Sequence, residues 1–230
     1  MAIRLDETNA MKLKEARDKL EANKLQTGIW AIDKAFTALV KGGVYAFCAG
    51  TGVGKTTLLL ATAKKMAADG KKVLYITTEM SLVQLSYWLP EVETNLWIGT
   101  SDELEQDLSE YDVIVYDYLG ADLADWDDLV DQAETLANVA IEYNIIVFTA
   151  LQARPEIYDN TKEENLSTNM FVAFSKGMIN KMSGAAYIVK KNNQLYLYVM
   201  KNRYGPCGDG KGIKLDSLDY STKSWLPQWF

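Results

Sequence analysis

A short glycine-rich loop between an apolar run and a helical pattern constrains this chain more than any other feature. Residues 49–57 read Ala-Gly-Thr-Gly-Val-Gly-Lys-Thr-Thr, which fits the G-x-x-x-x-G-K-[ST] pattern apart from an alanine at its first position. The preceding run, 44–48, favours a buried strand, and residues 58–68 favour a helix. A strand, a glycine-rich turn and a helix in this order are typical of a phosphate-binding loop, because backbone N–H groups and the helix N-terminus both attract the anion.

The loop also predicts which residues would surround a triphosphate. Lys55 supplies positive charge for the β- and γ-phosphates, and the hydroxyl of Thr56 is suited to Mg²⁺. The residues expected to contact the nucleotide are Gly50, Thr51, Gly52, Val53, Gly54, Lys55, Thr56 and Thr57.

Composition narrows the chemistry that the chain can perform. With 230 residues, of which 48% are hydrophobic, it can bury the core of one large domain, with or without a small appendage. It contains no histidine, so carboxylates, amides, lysine, arginine and magnesium must supply the catalytic groups. Two cysteines do not form a disulfide framework, and no signal peptide or membrane-length apolar run is recognised. We therefore expect a cytoplasmic protein that does not contact a membrane.

The net charge of −7 is unevenly distributed along the chain. No lysine or arginine occurs between Lys72 and Arg154. No acid occurs between Glu164 and Asp209, a stretch that carries six basic residues. This separation predicts a positive face toward phosphates of nucleotide or nucleic acid, with chance clustering on a solvated surface as the alternative.

The spacing of apolar residues predicts an α/β fold, with a mostly parallel central sheet flanked by helices and a late antiparallel hairpin. We expect residues 1–24 to form an N-terminal helical arm, residues 25–230 to form the domain proper, and residues 160–169 to be a loop. The predicted strands after the first are 72–77, 112–117 and 144–150, with a hairpin over 187–190 and 195–200. The predicted helices are 7–24, 29–39, 58–68 and 126–143.

Three predicted strands are followed or ended by polar side chains suited to phosphate chemistry. Asp117 ends the third strand, where a carboxylate can hold Mg²⁺ directly or through water. Glu79 follows the second strand and could orient an attacking water, although an acid there could instead cap the next helix. If Glu79 is not the base, Asp112 and Glu110 are the next candidates. Gln152 follows the fourth strand, where a neutral amide could sense a γ-phosphate without adding repulsive charge.

The order of these motifs resembles the RecA-type ATPase domain of DnaB-like replicative helicases, from about residue 25 to the C-terminus. Residues 25–33 are similar to the opening pattern "(I)-x-T-G-(F)-x-x-(L)-D", and 78–81 resemble "(L)-E-M-S". Residues 117–119 resemble "D-Y-L", and Gln152 falls at the glutamine of "S-Q-L". Most specific is the segment 201–208, Lys-Asn-Arg-Tyr-Gly-Pro-Cys-Gly, which is close to "K-N-R-x-G-P-x-G".

This resemblance implies hydrolysis of Mg²⁺-bound ATP in a homo-oligomer, specifically a hexameric ring that acts on single-stranded DNA during replication. It implies a primase or a helicase loader as partner. It makes Glu79 the catalytic base and Asp117 the Walker B aspartate. It also implies that Lys201 and Arg203 reach the nucleotide of the neighbouring subunit, with a basic hairpin tip as the alternative for these two residues.

A second function stays open because parts of the family pattern are missing. The motif "G-S-x-x-I-x-x-D-A-D" near the DNA loops is only faintly matched by 176–185, and its aspartates are absent. Of the loops expected to face a ring channel, 118–125 is acidic, whereas the one after Gln152 carries Arg154, Lys162 and Lys176, so the charge pattern is mixed. The alternative is a RecA-like ATPase that does not translocate and serves as an assembly factor, helicase loader or recombination mediator.

The N-terminal helix has two interpretations of its own. Its position matches the linker helix of the resembled family, which implies packing on a neighbouring protomer. The alternative is an ordinary helix that folds back on its own domain.

Overall fold

A mixed eight-stranded sheet forms the centre of the computed structural model, which describes residues 7–89, 94–120, 126–153, 176–192, 194–207 and 210–215. The strands are β1 (Lys24–Leu25), β2 (Leu39–Val40), β3 (Gly43–Ala49), β4 (Val73–Thr77), β5 (Leu96–Gly99), β6 (Val113–Leu119), β7 (Ile146–Gln152), β8 (Gly184–Lys191), β9 (Gln194–Asn202) and β10 (Ile213–Leu215). The α-helices are α1 (Glu7–Ala22), α2 (Trp30–Phe36), α3 (Lys55–Ala68), α4 (Leu82–Trp88), α5 (Trp126–Glu142) and α6 (Lys176–Lys181), with a 3₁₀ helix at Ser101–Glu105.

The strand order in the large sheet is β10-β9-β8-β3-β7-β6-β4-β5. Neighbouring strands in the series β8-β3-β7-β6-β4-β5 are all parallel. Strand β9 pairs antiparallel with both β8 and β10. This arrangement confirms the predicted α/β fold, with its mostly parallel sheet and late hairpin. We call the edge at which β3, β4, β6 and β7 end the carboxyl edge, and the edge at which they begin the amino edge.

Apolar side chains on both faces of the sheet explain why its central strands read as continuous hydrophobic runs. Along β3, Tyr45 and Phe47 belong to a core with α2 and α3, while Val44 and Ala46 belong to a second core with α5 and α6. All seven residues of β3 are buried. The sheet therefore has helices on both faces, as the sequence predicts.

Several elements differ from their predicted bounds. The third predicted strand continues past Asp117 to Leu119, and Gln152 is the last residue of β7 and does not follow it. The hairpin strands are longer than predicted, and β1, β2, β5 and β10 were not predicted at all. The helix predicted over 29–39 ends at Phe36, and Leu39 belongs to β2. The four missed strands are short: β5 and β10 lie at the outer edges of the large sheet, and β1 and β2 form a separate two-stranded sheet, so pairing with one neighbour defines each of them. The predicted loop at 160–169 lies outside the described residues.

Helix α1 was predicted over 7–24 and ends at Ala22. Its residues from Ala10 to Lys19 are exposed, including Met11 at 66% and Leu13 at 54%. After α1, the chain forms β1, which pairs with β2. This pairing is the first strand contact between the arm and the domain among the described residues.

Candidate nucleotide-binding site

The glycine-rich loop joins the buried end of β3 to the start of α3 at the carboxyl edge. Gly52 has a φ of 73° and Gly54, which precedes α3, has a φ of 107°, conformations that favour glycine. The first backbone N–H groups of a helix have no partner within the helix, so the start of α3 offers donors to an anion. Val53 packs against the core and Thr57 lies half-buried in the first turn of α3. The loop thus has the backbone that the sequence predicts.

Lys55 lies folded over this loop and is only 8% exposed. Its Nζ donates to the carbonyl of Gly50 at 3.1 Å and to that of Ala49 at 3.4 Å. Burial lowers the pKa of Lys55 from its usual range, and the carboxylates of Asp117 and Glu79 oppose this shift. An anionic phosphate at the loop would give this ammonium a stronger acceptor than the two carbonyls.

Thr56 and Asp117 meet beneath the loop. The Thr56 hydroxyl donates to Oδ1 of Asp117 at 3.3 Å, and Asp117 is only 3% exposed. Burial raises the pKa of Asp117, while hydrogen bonds from Tyr75 and Thr56 oppose the increase. Mg²⁺ takes oxygen ligands at about 2.0–2.1 Å in octahedral geometry, so adjacent ligand oxygens are roughly 2.9 Å apart. The two oxygens are therefore of the right type and spacing to hold Mg²⁺ directly or through water.

Glu79 lies exposed in the turn between β4 and α4. The hydroxyl of Thr77 accepts from the N–H of Met80 at 3.0 Å and donates to its carbonyl at 3.2 Å, which closes the turn around Glu79. Ser81, not Glu79, caps α4, because the Ser81 hydroxyl accepts from the N–H of Gln84. The capping alternative for Glu79 is therefore wrong, and the negative charge of Glu79 acts to raise the pKa of both Lys55 and Asp117.

Gln152 is exposed and contacts the loop from the neighbouring strand. It lies beside Ala49 in the parallel pairing of β3 and β7. Its Nε2 donates to the Thr51 hydroxyl at 2.8 Å, and its Oε1 accepts from the Tyr118 hydroxyl at 3.3 Å. The Lys55 Nζ lies 5.7 Å from the centroid of the Tyr118 ring. Tyr118 thus belongs to the site; in the sequence it matches the tyrosine of "D-Y-L", and no role was predicted for it.

Lys201 and Arg203 lie toward the amino edge of the sheet, whereas the loop lies at the carboxyl edge. Gly184 pairs with Tyr45 in parallel and with Asn202 in antiparallel register. At about 3.3 Å per residue, the strand from Tyr45 to Ala49 spans roughly 13 Å before the loop begins. Arg203 is therefore at the amino edge, whereas the hairpin turns at Asn192, so the hairpin-tip interpretation is wrong. Asp112 and Glu110 also precede β6 at the amino edge and are remote from the loop.

The two basic residues differ in their surroundings. Lys201 donates to the carbonyls of Ile179 at 2.7 Å and Asn180 at 3.1 Å at the end of α6, and burial lowers its pKa. Arg203 is exposed. Between them, the buried Asn202 contacts the end of α2 and accepts from the N–H of Tyr204 at 3.2 Å. The segment is thus anchored through Asn202, which leaves Arg203 at the surface.

The loops predicted to face a ring channel fall mostly outside the described residues, namely at 121–125 and 154–175. Gly208 of the "K-N-R-x-G-P-x-G" match is also outside them. Among the helices that the structure describes, none combines the length and apolar character required to cross a bilayer.

Comparison by sequence gives only partial matches. No protein-family model matches the chain. It is 37% identical to DNA repair protein RadA of Campylobacter jejuni over 87 residues, which are 34% of this chain and 20% of that protein. It is 40% identical to RadA of Aquifex aeolicus over 70 residues, which are 30% of this chain and 16% of that protein. The aligned part thus spans a fifth or less of the length of these relatives.

Comparison by structure covers most of the chain. One solved ATPase domain superimposes with a TM-score of 0.66 and 14% identity, over 95% of this chain and 98% of that one. A DnaB-like replicative helicase, solved for its interactions with primase, gives a TM-score of 0.68 and 12% identity, over 90% of this chain and 64% of that one. RadB recombinase gives 0.57 and 18% identity, over 80% and 92%. The chain therefore has the RecA-like fold of these ATPase domains.

Proposed function

We propose that this protein is a Mg²⁺-dependent ATPase of the RecA-like class that works as a homo-oligomer on single-stranded DNA. The observation that carries the nucleotide assignment is the meeting of Lys55, Thr56 and Asp117 around one glycine-rich loop. Glu79 lies on the same edge, close enough for its charge to act on Lys55 and Asp117.

Each side chain has a role in hydrolysis that follows from its position. Lys55 binds the β- and γ-phosphates, while Glu79 accepts a proton from water as the water oxygen bonds to the γ-phosphorus. The bond from that phosphorus to the oxygen bridging it to the β-phosphate breaks, which yields ADP and inorganic phosphate. Thr56 and Asp117 would hold Mg²⁺, which would supply positive charge against the phosphate oxygens. Gln152 contacts the loop from β7 and reports whether a γ-phosphate is present.

The oligomer is part of the proposal because Arg203 lies away from the loop of its own protomer. Arg203 lies at the amino edge and the loop at the carboxyl edge of the same sheet. From that place an exposed arginine is suited to act on the nucleotide of a neighbouring protomer, with Lys201 beside it. Closing such contacts around a ring, for which we propose six protomers, makes every site equivalent.

Two cellular roles remain, and each has its own support. The likeness to a DnaB-like helicase solved with primase favours a replicative helicase, with a primase or a loader as partner. The partial matches to RadA and the likeness to RadB favour the alternative, an assembly factor, loader or recombination mediator that does not translocate. We place the helicase first because it covers 90% of this chain with a TM-score of 0.68, against 80% and 0.57 for RadB.

The test is hydrolysis of ATP by the purified protein, measured with Mg²⁺ or EDTA and with or without single-stranded DNA. Lys55→Ala should lower the rate by at least about 100-fold, since it removes a charge that acts on the phosphates. Lys65→Ala is the matched control, because Lys65 lies on the same helix and pairs with Asp69. If Lys55→Ala retains ATPase activity, or if the rate of hydrolysis is the same with Mg²⁺ and with EDTA, the assignment of the nucleotide site is contradicted.

A strand-separation assay on a forked DNA duplex distinguishes the two roles. A helicase should separate the strands in step with ATP hydrolysis. Hydrolysis that single-stranded DNA stimulates, without any strand separation, would favour the assembly factor.

A further inference from the structure

Tyr75 is a fully buried phenol in the middle of β4, among apolar neighbours. Its ring packs in the core with α2 and α3, where a phenylalanine would fill the same space. A buried phenol hydroxyl needs a hydrogen-bond partner. Tyr75 finds it in Oδ2 of Asp117, to which it donates at 2.5 Å.

The register of the sheet explains how the two side chains meet. Tyr75 pairs with Val115, and Asp117 lies two residues further along β6 on the same face. The long phenol therefore reaches past Val115 to the carboxylate. Asp117 uses its two oxygens differently, because Oδ2 accepts from Tyr75 while Oδ1 accepts from Thr56 at 3.3 Å.

From this division we propose that Tyr75 is a positioning residue for the metal site, which holds one oxygen of Asp117 so that the other faces Thr56 and Mg²⁺. The inference rests on the proposed ATPase function. The terminal torsion of an aspartate is broad, so an unsupported carboxylate would sample many orientations. Hydrogen-bond partners of metal-binding side chains restrict this freedom, and their loss typically weakens metal affinity or activity about 10–100-fold.

The test is Tyr75→Phe, which removes the hydroxyl and keeps the ring. Affinity for a fluorescent ATP analogue is measured by equilibrium titration across a series of Mg²⁺ concentrations and in EDTA. We expect the Mg²⁺ concentration for half-maximal binding to rise about tenfold. Affinity in EDTA should stay unchanged, which also shows that the variant is folded.

Tyr45→Phe is the matched control. Tyr45 is equally buried, and its hydroxyl is also hydrogen-bonded, accepting from the N–H of Val40 at 2.8 Å and donating to the carbonyl of Ala38 at 3.3 Å. It lies near the amino edge, so its loss should affect stability without changing the Mg²⁺ dependence. If both variants show the same Mg²⁺ dependence as the wild type, the positioning role is wrong.

A double substitution separates positioning from general damage. In an Asp117→Ala background, Tyr75→Phe should add nothing further to the Mg²⁺ requirement, because the group it holds is gone. An independent, additive loss overturns the proposal. If the wild-type protein binds the analogue equally with Mg²⁺ and with EDTA, the proposed metal site itself is refuted. If binding depends on Mg²⁺ in the wild type and Tyr75→Phe does not change that dependence, only the role of Tyr75 is refuted.

Discussion

The N–H and the hydroxyl of Thr78 both donate to the main-chain carbonyl of Asp117, each at 2.9 Å. The same hydroxyl accepts from the N–H of Tyr118 at 3.0 Å. These contacts join the turn that carries Glu79 to the strand that carries Asp117. The proposed base and the proposed metal ligand are therefore fixed relative to each other, although they belong to different elements.

Glu79→Gln should bind Mg²⁺-bound ATP normally and hydrolyse it about 10²–10⁴-fold more slowly. The amide preserves the shape of the side chain and removes its ability to accept a proton. Nucleotide affinity and single-turnover hydrolysis measure the two effects separately. Glu110→Gln is the control, since Glu110 lies at the amino edge. A wild-type rate in Glu79→Gln would place the base elsewhere.

Arg203→Ala should lower the ATPase rate by about 10³-fold or more, because an arginine finger stabilises charge in the transition state. Arg203 is exposed, so the melting temperature should hardly change. Lys190→Ala is the control, because Lys190 is an exposed basic residue on β8 toward the turn of the same hairpin. Full activity of Arg203→Ala alone would reject the finger.

Mixing tests whether Arg203 acts between protomers. Arg203→Ala and Lys55→Ala should each be nearly inactive, whereas their mixture should recover activity at interfaces that pair an intact loop with an intact arginine. Subunit exchange is verified by mass measurement of tagged protomers. Mixtures that stay inactive at every ratio would argue against action between protomers.

Deletion of residues 1–22 should leave a folded domain that assembles poorly. Helix α1 exposes Met11 and Leu13, which suits a helix that packs on another protomer. The double substitution of these residues by serine should raise the concentration for half-assembly by about tenfold or more. Light scattering over a dilution series measures this concentration. An intact oligomer after the deletion would contradict the linking role.

The pair of Lys41 and Asp112, with Nζ and Oδ1 2.8 Å apart, should make a pH-dependent contribution to stability. Partial burial acts to raise the pKa of Asp112, but hydrogen bonds from Lys41 and the N–H of Lys72 lower it overall. Because the folded pKa lies below the unfolded value, the stabilisation is complete above about pH 4 and is lost as the pH falls through the folded pKa.

Lys41→Met should therefore lower the free energy of unfolding by about 0.2–1 kcal/mol at pH 7, with a smaller difference below pH ~4. Urea titrations at several pH values measure the difference. In an Asp112→Asn background the effect of Lys41→Met should largely disappear. A difference that is constant from pH 7 to pH ~3 would rule out this ion pair as its source.

The central strands and the loop were predictable because each has a local signature. Strands β3, β4, β6 and β7 are buried on both faces, so their sequences are almost wholly apolar. Gly52 and Gly54 of the loop have positive φ, which favours glycine and which the motif encodes directly. By contrast, β5 and β10 depend on pairing with one neighbour and have little pattern of their own.

The site was predicted less completely because the positions of some of its residues depend on the register in which the strands pair. A tyrosine in an apolar strand looks like an ordinary core residue, so Tyr75 gave no signal until its hydroxyl was seen beside Asp117. The position of Arg203 likewise depends on which end of β9 aligns with the start of β3. Residue types predicted the chemistry, whereas pairing between strands decided which groups share an edge.

The separation of Arg203 from the loop of its own protomer determines how many complete sites an assembly can contain. In an open chain of n protomers, only n − 1 junctions can unite a loop with an arginine, and one terminal loop stays incomplete. Closing the chain adds the last junction. Under the proposed arrangement, turnover per protomer is as low for an isolated molecule as for Arg203→Ala, rises with chain length, and reaches its maximum on closure. The rate at high dilution should therefore fall faster than in proportion to protein concentration.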